Sequence, residues 1–475
     1  MHISRRSFIK KAGVATVSLA LTPLLSKCSK KSKNPNIVLI LADDLGYGDL
    51  SCYGQKNFTT PHIDSLAKTG MKFTQHYAGS TVCAPSRCVL MTGKHTGHAY
   101  VRGNKQDEPC GQLQLPPEEK TFAKVLQENG YKTGCFGKWG MGIQNTKGDP
   151  QRHGFDTFVG FYDQVLAHNS FPEFLYKNGQ KIMLDNDVHY LPESEWHKGL
   201  GSYSTEKKDY VHNVIFDELT QWVDENKDEP FFLYFPTTIP HDNGEALKDQ
   251  MIEVPEIKQE FKNKKWSQDQ KNYATIVTLL DDYVGKLLQQ LKDLNLEENT
   301  IVIFTSDNGA MSASWNKKLE SNGKLRGFKR DLYEGGIRIP LIAKWPGKVK
   351  ANSESDHLSA FWDFYPTMID IAGIESSNKD IDGISFYPEL VGTKQPKHEY
   401  LYWEFHFWKP SRQAVRFDNW KAVKNSPDGK IELYSLDKDV GEHHNVADQY
   451  PDIVNRAGQY LDKARMPDEK WPLKN

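Results

Sequence analysis

The sequence predicts an α/β fold: a large mixed sheet flanked by helices on both faces, followed by a smaller C-terminal α+β subdomain containing an antiparallel sheet. Three observations predict it. Four continuous apolar runs, each the length of one strand, are spaced between residues 36 and 306. Helical patterns lie between them. Beyond about residue 350 the runs shorten and begin to alternate. Continuous apolar runs suit strands buried on both faces, and strand–helix alternation builds sheets covered on both sides. The chain has 475 residues, 38% of them hydrophobic, enough for a large core. Lys plus Arg number 60 against 62 Asp plus Glu, a formal net charge of −2. That balance excludes a global electrostatic footprint for nucleic acid, so any anion binding must be local.

Each element follows in order. Residues 1–33 read as an export signal: a basic start, an apolar run from Ala12 to Leu25, then Cys28. "SRRSFIK" resembles a twin-arginine signal, with Arg5 and Arg6 as the pair. "LLSKC" partly resembles a lipobox, in which Cys28 would carry a lipid anchor, although Lys27 departs from that pattern. The expected location is the periplasm or the cell surface of a bacterium, with the membrane reached only through that anchor. "NIVLILA" then runs into Asp43 and Asp44, and "HIDSLAKTG" reads as a helix. "STVCAPSRCVLMTGKH" reads as a loop entering a helix, with Pro85 suited to a first helical position and Gly93 to the end. "EKTFAKVLQENG" is helical and precedes "KTGCFG", which runs into Lys138. "DYVHNVIFDELTQWVDEN" is helical and precedes "PFFLYF", which leads to His241. "YATIVTLLDDYVGKLLQQLKDL" is helical and precedes "TIVIFTS", which runs into Asp307 and Asn308. "SDHLSAFWDFYPTMIDIAG" adds a helix on the main sheet. "EYLYWEFHF", "RQAVRFDNWKAVK" and "KIELYSL" alternate around turns such as "SPDGK" and form the small antiparallel sheet. We therefore divide the chain into 34–375, an N-terminal α/β domain, and 376–475, the C-terminal subdomain.

Ligands of open α/β sheets sit beyond the carboxyl ends of the strands. The polar residues after the four runs could thus share one site although far apart in sequence. Asp43, Asp44, Asp307 and Asn308 form an oxygen-only set, which calcium or magnesium prefers to zinc. One Asp-Asp pair after a strand is ordinarily a cap or a loop; two such sets after buried strands would repel without a cation. Arg87, Lys138, Lys329 and His241 form a basic set, each ordinary on its own. Cys83 falls at or just before a helix N-terminus, where the dipole and Arg87 favour an anion-handling side chain. A structural disulfide, for instance with Cys88, or a buried thiol are the alternatives. Without Cys28, five of the six cysteines remain, so at least one stays outside any internal disulfide.

At this point a resemblance becomes specific. "CAPSRCVLMTGK" resembles the Cys-x-Pro-Ser-Arg signature of the type I, formylglycine-dependent sulfatases. "NIVLILADDLGYGDLSCYG", "GFDTFVGF", "FFLYFPTTIPH", "NTIVIFTSDNGA" and "LYEGGIRIPLIAKWPG" are similar to that family's other blocks, in the same order, over roughly residues 34–450. The family belongs to the alkaline-phosphatase-like superfamily. The resemblance implies that Cys83 is oxidised to formylglycine by a formylglycine-generating or anaerobic sulfatase-maturating enzyme, whose recognition motif Pro85 and Arg87 match. It implies that the aldehyde hydrate is the nucleophile, one hydroxyl attacking sulfur and the other later expelling sulfate. It implies calcium, with magnesium the lesser candidate, held by Asp43, Asp44, Asp307, Asn308 and the modified Cys83. Arg87, Lys138 and Lys329 would stabilise charge, and His241 would protonate the leaving alcohol. One departure stands out: the family's Gly-Lys-Trp-His block reads "GKWG" here, with Gly140 in the last place. His168 and His95 are candidate substitutes.

Polar groups beside aromatics suit a carbohydrate ring. On that ground His95, Arg102, Asn104, His168, Glu404 and His406 are candidate substrate contacts, and a sulfated carbohydrate is the expected substrate. The "YWEF" aromatics could equally pack the small sheet. A phosphoesterase or phosphonate hydrolase of the same superfamily, and a non-catalytic sulfated-glycan-binding protein, are the rival readings.

Overall fold

The computed structural model describes residues 34–104, 112–196, 198–246, 250–375, 378–406 and 410–475. The export signal with Arg5, Arg6 and Cys28 lies outside the described residues, as does Cys110. Among the described residues no helix is long and apolar enough to cross a membrane.

A ten-stranded mixed sheet organises the molecule. Its centre is parallel: Thr300–Ser306, Asn36–Ala42, Phe231–Pro236, Lys132–Lys138 and Thr157–Phe161 lie side by side in that order. Leu341–Lys344 joins antiparallel on one flank, followed by Met71–Phe73 and Ser353–Ser355. Phe174–Lys177 and Gln180–Met183 complete the other flank as an antiparallel hairpin. The register pairs Ala42 with Ser306 and Leu41 with Pro236, so three central strands end level with one another. Asn36–Ala42 is buried throughout, as its unbroken apolar run requires.

Helices cover both faces. Val211–Asn226 buries Ile215, Phe216, Leu219, Trp222 and Val223 against the sheet. Gln268–Asp293 starts from a capping box in which Ser267 and Gln270 satisfy each other's backbone N–H groups. Alternate residues of the first strand serve opposite cores: Ile37, Leu39 and Leu41 face one, Val38 and Ile40 the other. Burying a side chain such as Leu219 contributes about 2 kcal/mol.

The C-terminal sheet has four strands, Leu401–Phe405, Arg412–Phe417, Trp420–Lys424 and Ile431–Ser435, all antiparallel. "RQAVRFDNWKAVK" thus folds as two strands around a turn. The sheet does not stand apart. Leu401, Trp403, Phe405, Ala414 and Val423 belong to the same apolar cluster as the face of the main sheet that carries Ile37. Trp403 donates its indole N–H to the Ala78 carbonyl at 2.8 Å.

Candidate active site

Four strand ends and one helix start converge. The helix Cys83–Thr92 begins at Cys83, with Val82 as its cap in extended conformation. Pro85 is therefore third, not first; its missing N–H costs nothing there either, because the first N–H groups of a helix have no intrahelical acceptor. Gly93 closes the helix in left-handed conformation at φ 74°. Cys83 and Cys88 are both buried free thiols, so the disulfide alternative does not hold, and Cys52 and Cys135 are free as well.

The loop after Asn36–Ala42 turns at Asp44, which adopts φ 64°. Its backbone N–H donates to Asp307 Oδ1 at 3.1 Å, and Asn308 Nδ2 donates to Asp44 Oδ1 at 2.6 Å. The two polar strand ends are thereby locked together. Lys138 Nζ lies 2.7 Å from Asp43 Oδ2, and Lys329 Nζ lies 2.8 Å from Asp44 Oδ2. Arg87 donates to Asp307 Oδ2 at 2.9 Å and to the Lys138 carbonyl at 2.7 Å, and passes 3.3 Å from Asp43. His241 donates Nδ1–H to the Asp242 carbonyl at 2.6 Å; its Nε2 faces Lys329 Nζ at 3.1 Å and Asp44 Oδ2 at 3.5 Å.

The electrostatics follow from dense charge in a dry place. Burial alone would raise the Asp43 carboxyl, but Lys138, His241, Arg87 and Lys329 hold it well below the usual range. Asp44 is likewise lowered against its burial, by Lys329 and His241. Asp307 goes the other way: burial and the neighbouring Asp43 push its carboxyl well above the usual range, against the pull of Arg87. Burial would lower Arg87 and Lys329, but the carboxylates raise both, so they stay cationic.

Asp43, Asp44, Cys83 and His241 form a group able to hold a metal ion, each offering one ligand atom within 4.8 Å of the others. Asp43 Oδ1 and Asn308 Oδ1 are buried without a hydrogen-bond partner. Orphaned acceptor oxygens and a carboxyl pushed up by its neighbours are what a hard cation would relieve.

Cys83, His241 and Lys329 line a cavity of about 450 Å³. Its other walls include Asn104 and His168, with Gln164 beside Gly140 and an aliphatic lining of Val82, Val101, Leu113 and Met251. Gly140 has φ 78°, and a Cβ there would come within 2.1 Å of the Gln164 amide nitrogen. Gln164 therefore fills the space beside Gly140, a position that sequence reasoning missed because nothing about residue 164 marks it.

The remaining candidates lie elsewhere. Glu404 is fully buried and receives Arg102, Arg465, His406 and Tyr402 at 2.8–3.1 Å. Arg102 also holds the Ala99 and Met466 carbonyls. His95 stacks on His98, which bonds Asp382. The structure thus places His95, Arg102, Glu404 and His406 in a buried network joining loop 95–104 to the C-terminal sheet, not among the residues lining the cavity. The physical reason is charge matching: a buried carboxylate needs cations, and these arginines supply them.

Comparisons with known proteins agree with this geometry. The family model "Sulfatase" matches residues 35–374, and "N-sulphoglucosamine sulphohydrolase, C-terminal" matches residues 326–466. Human arylsulfatase A is 31% identical, over 90% of this chain and 87% of its own. An N-acetylgalactosamine-6-O-sulfatase of Bacteroides thetaiotaomicron is 29% identical, over 93% of this chain and 97% of its own. Among solved structures, Ps i-CgsB in complex with k-i-k-neocarrahexaose superposes with TM-score 0.74 at 28% identity, covering 93% of this chain and 96% of that one.

Proposed function

The chain belongs to the sulfatase family and is a sulfuric ester hydrolase, and from that premise we propose that it desulfates carbohydrates, using formylglycine made from Cys83 and a bound calcium ion. The observation that carries this reading is the placement of Cys83 at a helix start on the cavity wall, among two carboxylates and His241. The substrate class is supported by a relative named N-acetylgalactosamine-6-O-sulfatase and by a neighbour solved in complex with k-i-k-neocarrahexaose, both of similar length.

The residues divide the work. Asp43, Asp44, Asp307 and Asn308 would hold the ion together with the modified Cys83. Bound calcium supplies a Lewis acid for a sulfate oxygen, and formylglycine supplies a nucleophilic oxygen together with a built-in route for sulfate release. Arg87, fixed by Asp307 and the Lys138 carbonyl, holds a positive charge at the helix start. Lys138 and Lys329 each neutralise one aspartate, and both would stabilise charge on the sulfate. His241 would deliver a proton from Nε2 to the departing alcohol, with its ring held by the Asp242 carbonyl. Asn104 and His168 would contact the sugar. The network around Glu404 would act indirectly, by holding loop 95–104 in place.

Localisation outside the cytoplasm, through the signal at 1–33, belongs to the same reading, as does the division at residue 376. The test is direct. The protein is co-expressed with a sulfatase-maturating enzyme, and the tryptic peptide FTQHYAGSTVCAPSR is weighed. The aldehyde mass should appear together with turnover of 4-nitrophenyl sulfate and of members of a sulfated monosaccharide panel. Phosphate esters at equal concentration should react far more slowly. An intact thiol in a fully active enzyme would defeat the formylglycine reading; activity on aryl sulfates with none on sugars would defeat the carbohydrate reading.

A further inference from the structure

One pair of ionisable groups in the cavity wall has no part in the reaction above. His168 ends the short helical turn Leu166–His168, which Asp163 pins by accepting the backbone N–H groups of Val165 and Leu166. Its Nδ1 lies 3.0 Å from Glu245 Oε1. The Glu245 side chain has no exposed surface, and Oε1 also accepts the Gly201 backbone N–H at 2.8 Å. The ring of His168 lies parallel to that of His241, with centroids 4.8 Å apart and planes at 11°. Both histidines line the cavity.

The hydrogen bond decides which nitrogen carries the proton. Glu245 stays ionised: burial would raise its carboxyl, but His168 and the Gly201 N–H lower it. A carboxylate can only accept, so Nδ1 donates. Burial keeps the imidazole neutral by lowering its basicity. Nε2 is then a lone-pair acceptor, and among the described residues no hydrogen bond falls on it. One ring away stands His241, at the place assigned to the leaving oxygen. A substituent a carbon or two from the scissile ester therefore meets Nε2 of His168.

We propose that His168, oriented by Glu245, accepts a hydrogen bond from a free hydroxyl close to the scissile sulfate, and so selects esters whose neighbouring position is unsulfated. The inference rests on the carbohydrate reading. A hydroxyl can donate to Nε2, whereas a second sulfate would present only acceptor oxygens to a lone pair backed by a carboxylate. A site built to bind a hydroxyl also rejects the analogue that lacks it, because the acceptor is then left unpaired.

The test compares three substrates: the panel's best sulfated monosaccharide, its analogue with the neighbouring hydroxyl replaced by hydrogen, and 4-nitrophenyl sulfate, which has no such hydroxyl. The wild type should favour the hydroxyl-bearing sugar over the deoxy analogue by about 10-fold or more in kcat/KM. His168→Phe keeps an aromatic ring over His241 but removes the acceptor. It should erase that preference, read as the ratio of kcat/KM on the hydroxyl-bearing sugar to that on the deoxy analogue, so that any cost common to all substrates divides out. His168→Gln, which can still accept, should restore part of it. Equal loss on all three substrates would overturn the proposal and make His168 a support for His241. Wild-type indifference to the hydroxyl would overturn it while leaving the carbohydrate reading intact. Turnover of 4-nitrophenyl sulfate with no sugar accepted would remove both.

Discussion

Arg87 shows how little freedom the site leaves a single side chain. Its guanidinium is fully buried and meets Asp307, Asp43 and the Lys138 carbonyl at once. A planar fork can do this; an ammonium cannot. Arg87→Lys should lower kcat/KM on 4-nitrophenyl sulfate by about 100-fold and, by leaving Asp307 underpaired, cost about 3 kcal/mol in chemical denaturation. Gly140 is constrained in its backbone instead. Gly140→Ala should cost about 1 kcal/mol, because alanine pays for the left-handed conformation. Adding Gln164→Ala should not recover it, since Gln164 can swing aside. At this scale the sequence was legible where residue type and strand end coincide: Asp43, Asp44, Lys138, Asp307 and Asn308 meet as their positions suggested. It was illegible at Glu404, whose partners Arg102 and Arg465 come from distant segments. A polar residue among aromatics reads the same whether it greets a sugar or an arginine.

Among the elements, the short helix Glu334–Ile337 links the two sheets. Glu334 is buried and receives Tyr77 Oη at 2.8 Å, Lys421 Nζ at 3.1 Å and Arg338 at 3.3 Å. Lys421 projects from the strand Trp420–Lys424 and also lies 3.7 Å from Glu442. Lys421→Met would leave two buried carboxyls without their common cation and should destabilise by about 3–5 kcal/mol. Combining it with Glu334→Gln should return part of that loss, read from urea midpoints at constant slope. The four long apolar strands and the long helices were legible because their period is sustained. The hairpin Phe174–Lys177 with Gln180–Met183 was not read, although its Asn178–Gly179 turn is a standard two-residue connection, both residues having positive φ. Its strands are four residues each, the first half-buried and the second mostly exposed, too short for apolar periodicity to register.

At the scale of the whole molecule, stability should depend on the ion and on pH. Calcium binding to the folded state alone, at about 100 times its dissociation constant, would add about 2.7 kcal/mol. The expected result is a calcium-dependent rise in Tm that a chelator reverses and that Asp307→Ala abolishes, measured by scanning calorimetry. Burial pushes the Asp49 carboxyl up to about 7, despite hydrogen bonds from Tyr273, Ser321 and Gly46 that oppose it. The folded chain thus keeps a proton that the unfolded chain releases near the ordinary aspartate value of 3.8. The contribution from this group is full below that value and is lost as pH rises towards about 7. Asp49→Asn should flatten that slope. Strand order in the sheet was beyond sequence reading: it depends on which runs pair, and every buried run is equally apolar.

Residues 465–474 turn back beneath loop 95–104. Trp471 donates its indole N–H to the Tyr100 carbonyl at 2.9 Å, Arg465 reaches Glu404, and the Lys474 carbonyl accepts the Ser411 N–H at 2.7 Å. This far end of the polypeptide is a buttress for a rim more than 360 positions earlier. A protein trimmed after Asp468, or fused there to a bulky affinity handle, should keep its chemistry yet grip sugars poorly. A weak KM from a preparation altered there would therefore report on the alteration and not on the active site.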